Sequence, residues 1–448
     1  MKTLVMTEAQ LELLRQHVFD QPGLEGAAFL LCGQSMSDES AKLIVHAVMP
    51  IDAADFDERR RDGLVIKSSA LTRIAKLARN EGLSIVFVHS HPDGADDFSA
   101  QDDREEGRLI PFLQARVPGK IHGTLVLTKN SIVGRLYMPD RQALDKTIAV
   151  GSRIRCWRAT SQVQSDFLDR QIRAFGKDIQ SALSCLHIGI VGLGGTGSPV
   201  AEQLARLGVG MISLFDGDTL EASNLNRVQG SHRADVGLYK VDIAKRNIEK
   251  MGLGTVVRAI PEHITTERSA LALRECDIVF GCTDKQRPRA ILGCLCVAYS
   301  IPVFDMGVLI DSLGGQIIGV HGRVTTLLPG EACLFCRGRI SVEGMRLETL
   351  SAAERAGQAR EGYAPELEQP APAVVTFTTA IAALAVTELL HRLTGFKGAD
   401  RQSSELLVAF DQSRMRTNRF EPHEECSCND QARWGRGDEE PFLGLAWG

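Results

Sequence analysis

Residues 188–198 read IGIVGLGGTGS. Ile188–Val191 is an apolar run of strand length, short enough for a strand buried on both faces. The glycines that follow, Gly192, Gly194 and Gly197, fit G-x-G-x-x-G, and Gly195 adds a fourth. Glycines at these positions let the backbone come close to phosphate groups, which then sit at the N-terminus of the next helix. Outward from this point the strand–loop signals repeat: MISLFDGD at 211–218, CDIVFGCTD at 276–284 and PVFDMGV at 302–308. This alternation predicts a mostly parallel sheet with crossover helices. Asp216 and Asp218 lie about twenty residues past the loop, where a ribose-holding carboxylate is expected. The side chains beyond them favour a triphosphate over a nicotinamide pyrophosphate. Asn224-Leu-Asn-Arg227 and Lys240 supply cations for phosphates, and Asp284, at a strand end, can position magnesium.

A hundred residues upstream, positions 89–102 read HSHPDGADDFSAQD. The apolar strand predicted at Ile85–Val88 runs straight into it. Side chains two apart on a strand point the same way, so His89 and His91 project together. Ser99 reads as a helix N-cap, which lets Asp102, one turn on, face the histidines. Two histidines and one aspartate leave a fourth position open, the arrangement of a catalytic zinc site. Such a site needs a base and an oxyanion donor. Ser99 is the candidate donor, and Glu25, opening the buried strand GLEGAAFLLCG, is the candidate base.

The bulk properties set limits. The chain has 448 residues, 44% hydrophobic and 24% charged, enough for two or three domains with ordinary cores. A formal net charge of −5 gives no basic field for nucleic acid. The start, MKTLVMTEAQLELLRQ, lacks a signal-peptide h-region, and Ala373–Leu390 contains four threonines and a glutamate. That stretch is expected as a core helix rather than a membrane span, and the protein is expected in the cytoplasm. Eleven cysteines without a secretory signal do not read as a disulfide framework. Cys333-x-x-Cys336 and Cys426-x-Cys428 read as metal-binding pairs.

The upstream residues resemble the JAB/MPN metalloprotease motif (JAMM). Glu25, His89-Ser-His91-Pro, Ser99 and Asp102 match it in order over roughly residues 1–140. The resemblance implies a catalytic zinc (Zn2+) held by His89, His91 and Asp102, Glu25 as general base, and Ser99 supporting the oxyanion. It also implies cleavage after the C-terminal glycine of a ubiquitin-like protein.

Residues 166–430 resemble the E1-like activating enzymes, the ThiF/MoeB/HesA group. The resemblance implies that the glycine loop and Asp216 hold ATP, and that Asn224, Arg227, Lys240 and Asp284 handle phosphates and Mg2+. Arg170, of the pair Arg170-Gln171, would reach the ATP of a second protomer, so a homodimer through this domain is implied. The reaction would be adenylation of a ubiquitin-like C-terminal carboxylate. The four paired cysteines match the family's structural zinc, except that Cys426 and Cys428 are one residue apart rather than two.

No cysteine lies between Cys336 and Cys426, where relatives that form a thioester place one. The acyl adenylate is therefore expected to pass to an outside nucleophile.

The expected fold is an N-terminal α/β metalloprotease domain (1–140), a polar, helix-compatible connector (141–165), a Rossmann-like domain (166–430) and a tail (431–448). The two sites would share one carrier protein, trimmed or released by one and activated by the other. A bacterial ubiquitin-like conjugation pathway with an E2-like partner, sulfur-carrier activation in cofactor biosynthesis, and a non-catalytic scaffold for a ubiquitin-like protein remain open.

Overall fold

The computed structural model describes residues 1–92, 94, 96–158, 166–351, 354, 372–398 and 404–447. The chain forms two units. The first is Met1–Gln162 with Ala298–Ser300 and Ala432–Gly444; the second is Val163–Val297, Ile301–Gln431 and Leu445–Gly448.

The first unit runs β1 (Lys2–Thr7), α1 (Glu8–Val18), β2 (Ala27–Met36), β3 (Ala41–Pro50), β4 (Phe56–Arg59), β5 (Leu64–Ile66), α2 (Ser68–Glu81), β6 (Ser84–Ser90), α3 (Ala100–Arg116), β7 (His122–Leu127), β8 (Ile132–Met138), β9 (Asp140–Ala143), β10 (Lys146–Val150) and β11 (Arg155–Arg158). Nine strands make one mixed sheet, ordered β11-β10-β1-β3-β2-β6-β7-β8-β9, and β4 and β5 form a separate hairpin. Alternate residues of β2 serve opposite faces. Ala28, Leu30 and Cys32 pack with Leu11, Leu14 and Val18 of α1, while Phe29 and Leu31 pack with Ile74 and Ala78 of α2 and Ile110 and Leu113 of α3. Because both faces are covered, the central strands are continuously apolar rather than alternating.

Two expectations about the boundaries fail. Arg141–Arg158 is not a helical connector: it supplies β9, β10 and β11, and β10 pairs in parallel with β1. Lys146 and Thr147 are buried in that pairing, so the polar composition hid a strand. Residues 159–165 lie outside the described set. Nor is 431–448 a free tail, since Ala432–Gly444 is part of the first unit. Gly437 bridges Gln34 in parallel, the Gly33 amide donates to the Gly435 carbonyl at 3.1 Å, and the Asp438 amide donates to the Gln34 carbonyl at 2.8 Å. The approach is so close that a Cβ on Gly33 would stand 2.1 Å from the Arg436 carbonyl oxygen. Only glycine fits there.

The second unit runs α4 (Asp169–Cys185), β12 (His187–Val191), α5 (Gly197–Arg206), β13 (Met211–Phe215), α6 (Lys240–Met251), β14 (Val256–Ile260), α7 (Glu267–Ala272), β15 (Ile278–Gly281), α8 (Gln286–Tyr299), β16 (Val303–Leu313), β17 (Gln316–Leu327), α9 (Val342–Thr349), α10 (Val375–Thr394), β18 (Glu405–Ala409) and β19 (Arg414–Asn418). Its sheet is ordered β14-β13-β12-β15-β16-β17-β18-β19. The five strands through β16 are parallel, as the alternation predicts, and the remaining three join antiparallel. The apolar stretch at 373–390 is the core helix α10, with Ile381, Ala382, Ala385 and Leu389 fully buried. No helix among the described residues is long and apolar enough to cross a membrane.

Candidate functional site

The end of β6 and the start of α3 bring His89, His91 and Asp102 together. Ser99 caps α3 as its sequence predicts: its hydroxyl accepts from the Asp102 amide at 3.2 Å, and its own amide donates to Asp102 Oδ2 at 2.6 Å. The cap fixes Asp102 against the histidines. His89 Nε2 lies 3.1 Å from Asp102 Oδ1, His91 Nε2 lies 3.5 Å from Asp102 Oδ2, and the two Nε2 atoms are 3.2 Å apart. Donors bound about 2.0–2.1 Å from a tetrahedral zinc ion lie about 3.3–3.4 Å from one another. The three side chains therefore come close enough for one donor atom of each to reach a single ion, with a fourth position left open.

Glu25 completes the group, with Oε1 3.9 Å from His91 Nε2. Burial pushes its carboxyl up to about 7; the neighbouring His91 opposes this and Asp102 adds to it. Burial acts on Asp102 in the same sense, but the hydrogen bonds from His89, His91 and the Ser99 amide outweigh it and hold Asp102 well below the usual carboxylate range. Two carboxyl groups beside the same histidines are thus driven apart, Asp102 toward the ionised form and Glu25 toward exchanging a proton near neutral pH.

Sequence reasoning missed what places Glu25. Ser90, between the histidines and fully buried, points away from them. Its hydroxyl accepts from the Gly26 amide at 2.9 Å and donates to the Val18 carbonyl at 2.7 Å. The hairpin holds the other side: the Glu25 amide donates to the Arg60 carbonyl at 2.8 Å, and Arg59 Nε donates to the Glu25 carbonyl at 2.6 Å. The signal was the alternation itself, since a polar residue on the opposite face of a buried strand needs a partner. A cavity of about 400 Å3 opens beside the group, with His89 and Asp102 on its wall and Leu64, Ile66, Leu71, Phe87, Leu109 and Phe112 making it largely apolar.

In the second unit the glycine loop joins β12 to α5. Gly192 has φ +91°, and a Cβ on Gly197 would lie 1.8 Å from the Gly192 carbonyl oxygen, so both positions require glycine. Asp216, at the end of β13, is buried and braces the loop. Its Oδ2 accepts from the Leu193 amide at 2.6 Å and its Oδ1 from the Asp218 amide at 2.9 Å. Gly194 has open space above it, whereas Gly195 packs against Thr378 of α10 and Arg227.

Lys240, the first residue of α6, pairs with Asp218 at 2.9 Å. Desolvation raises the Asp218 carboxyl, but the Lys240 ammonium outweighs it and holds the group below its ordinary range. Asn224 is buried and caps its own turn through the Glu221 amide at 3.2 Å. Arg227 donates to the Ser223 carbonyl at 2.7 Å, and Asp284 stands exposed just beyond β15. His263, 3.5 Å from Asp218, also joins this edge of the sheet and was not singled out in the sequence. Arg170 lies exposed on α4, and no hydrogen bond or ion pair among the described residues joins it to the glycine loop.

The four paired cysteines meet despite the one-residue spacing of the second pair. Cys333 Sγ is 3.7 Å from Cys336 Sγ and 3.6 Å from Cys426 Sγ, and Cys336 Sγ is 3.7 Å from Cys428 Sγ. Four thiolates about 2.3 Å from a tetrahedral zinc ion are about 3.8 Å apart. The set fits a closed site. A hydrogen bond from Cys428 pulls the Cys333 thiol down, and the same contact pushes Cys428 up, the behaviour of sulfurs that must share charge in one place. Burial pushes the thiols of Cys282 and Cys296 up, which leaves both poor nucleophiles.

Comparison with known proteins finds a family for each unit. The family described as prokaryotic homologs of the JAB domain matches residues 7–132, and the ThiF family matches residues 168–430. The molybdopterin-synthase adenylyltransferase of Escherichia coli (strain K12) is 32% identical over 176 residues, covering 38% of this chain and 67% of that protein. The adenylyltransferase and sulfurtransferase uba4 of Pyricularia oryzae is 34% identical over 159 residues, covering 35% of this chain and 32% of that one. The tRNA threonylcarbamoyladenosine dehydratase of Escherichia coli (strain K12) is 32% identical over 156 residues, covering 35% of this chain and 57% of that one. The chain therefore spans from about a third to two thirds of the length of these relatives. With its match running over more than half the chain, behind a JAB-type domain, this protein belongs to the ThiF family.

Proposed function

We propose that the protein acts twice on one ubiquitin-like carrier. The first unit hydrolyses the bond after the carrier's C-terminal glycine, either maturing a precursor or releasing a conjugate. The second adenylates the glycine carboxylate so exposed. The observation that carries this reading is the convergence of Glu25, His89, His91 and Asp102 in a chain whose other half belongs to an adenylyltransferase family.

In the first unit His89, His91 and Asp102 would hold zinc, which supplies Lewis-acid polarisation of the scissile carbonyl and of the attacking water. Glu25, with its carboxyl at about 7, takes the proton of that water as the oxygen–carbon bond forms. Ser99, whose oxygen accepts from the Asp102 amide, still has its O–H to donate to the oxyanion. Glu25 then returns the proton to the leaving amine as the carbon–nitrogen bond breaks. The apolar cavity beside the metal group would accept a large aliphatic side chain of the carrier's tail.

In the second unit a carboxylate oxygen attacks the α-phosphorus of ATP, and pyrophosphate leaves with the bonding pair. Gly192, Gly194, Gly195 and Gly197 let the backbone approach the phosphates, and Asp216 holds that loop in shape. Asn224, Arg227 and Lys240 meet the phosphates and neutralise charge that grows on the leaving group, and Asp284 would hold Mg2+, which would add to that neutralisation. Arg170 would complete this site in a second protomer, which makes a homodimer part of the proposal. Cys333, Cys336, Cys426 and Cys428 would hold a structural zinc. With no cysteine between Cys336 and Cys426, and with Cys282 and Cys296 disfavoured as thiolates, the acyl adenylate passes to an outside nucleophile.

The pathway proposed is ubiquitin-like conjugation, with an E2-like protein receiving the acyl group. A second reading, activation of a sulfur carrier, is favoured by two relatives named as a molybdopterin-synthase adenylyltransferase and a sulfurtransferase.

The test is intact mass of candidate carriers incubated with the protein and Mg-ATP. Loss of a C-terminal extension that Glu25→Ala abolishes, then gain of an adenylyl group that Arg227→Ala abolishes, is the expected result. No change in any carrier, with both sites loaded, would overturn the reading.

A further inference from the structure

A metal-binding histidine ordinarily donates its second ring N–H to a carboxylate or carbonyl, which fixes the ring's orientation and basicity. His89 does not. Its Nδ1 is buried and makes no hydrogen bond to any described residue. Two aromatic rings pack against the imidazole ring instead. Phe87 lies stacked on it, centroids 5.7 Å apart and planes at 20°, and Phe98 meets it edge-on at 6.3 Å and 67°. Phe87 belongs to β6 and is fixed by the sheet. Phe98 stands one residue before the Ser99 cap, on the loop between the metal-site histidines and α3.

What holds Phe98 is a cation. The Arg135 guanidinium carbon sits 3.8 Å from the centre of the Phe98 ring. Arg135 comes from β8 and is itself pinned from below. It donates to Asp103 Oδ1 at 2.6 Å and to Glu106 Oε2 at 2.9 Å, both on α3. Glu106 is buried and also accepts from Thr124 of β7 at 2.7 Å and from the Tyr137 hydroxyl of β8. Nothing in the hydrolytic scheme above uses this assembly. Its effect is to hold a cation over the face of the Phe98 ring, and that ring edge-on against His89.

We infer that Phe98, held by Arg135, is the positioning residue for His89, replacing the outer hydrogen bond with an aromatic wall. Neither residue touches the reacting atoms. The inference rests on the reading of His89, His91 and Asp102 as a metal site. It predicts a ligand whose orientation depends on packing rather than on a proton, so its metal affinity should respond to ring shape at position 98.

The test uses the full chain and Co2+, whose visible absorption reports ligand geometry and separates nitrogen–oxygen sites from thiolate sites. Phe98→Leu is expected to weaken Co2+ binding at the nitrogen–oxygen site about tenfold and to shift its bands. Phe98→Tyr, which keeps the ring, should bind as the unaltered protein does. Arg135→Ala should weaken binding less than Phe98→Leu, and Arg135→Lys, which keeps a cation over the ring, should recover most of the loss. If Phe98→Leu lowers the melting temperature, the other three variants decide.

Unchanged affinity and bands in both Phe98→Leu and Arg135→Ala would overturn the inference. A different failure identifies itself: if the unaltered protein shows no nitrogen–oxygen band that His89→Ala removes, the metal-site reading falls, and the positioning role with it.

Discussion

The two donor clusters answer different demands on the same kind of geometry. His89, His91 and Asp102 offer three donors, with a raised carboxyl at 3.9 Å and a cavity alongside. Cys333, Cys336, Cys426 and Cys428 offer four donors of one kind, within 4.8 Å of one another. The first cluster leaves room for a reacting group; the second closes on itself. Openness, not donor spacing, separates a site built to change what it holds from one built to hold it.

That contrast can be broken by substitution. Glu25→Gln keeps shape and removes the base, and carrier cleavage should fall by about 10²–10⁴-fold while ATP–pyrophosphate exchange stays intact. A cleavage assay run beside an exchange assay checks both halves at once. Arg227→Ala should do the reverse, lowering exchange by about 10²–10³-fold with cleavage unchanged. If either variant silences both activities, the sites are not chemically separate.

Cys428→Ser should remove one metal equivalent by elemental analysis and lower the melting temperature of the second unit by about 10 °C, with no direct effect on cleavage. A smaller effect sharpens the contrast further. In metal-free protein, the raised Glu25 carboxyl stays protonated in the folded state while its unfolded counterpart ionises. Stability should therefore be full below about 4.5 and be lost as pH rises through about 7. Urea midpoints measured with a chelator at pH 5 and pH 8 should differ, and Glu25→Gln should narrow the difference. The cysteine cluster contributes no carboxyl to such a slope.

The meeting of His89, His91 and Asp102 was legible because it rests on local rules. Alternation on β6 paired His89 with His91, and the Ser99 cap placed Asp102. The parallel half of the second sheet followed from its repeating strand–loop signals. What stayed hidden depends on distant chain. Ser90 reads as filler between two histidines until Gly26 and Val18 arrive against it. The short stretch Lys146–Val150, opened by a lysine and a threonine, becomes a buried strand because β1 and β11 flank it. The antiparallel strands β17–β19 extend a sheet whose first five members gave no sign of a change in direction.

The Ala432–Gly444 segment bears on how the protein is made. It lies beside β2, yet it emerges only after nearly all of the second unit. At ~5–20 residues per second, the nascent first unit waits ~15–50 s for this segment. Until then the backbone groups of Gly33 and Gln34 that it satisfies stay open to water or to a chaperone. A message broken anywhere inside the second unit thus leaves the first unfinished as well, so a truncated product lacks the finished form of either.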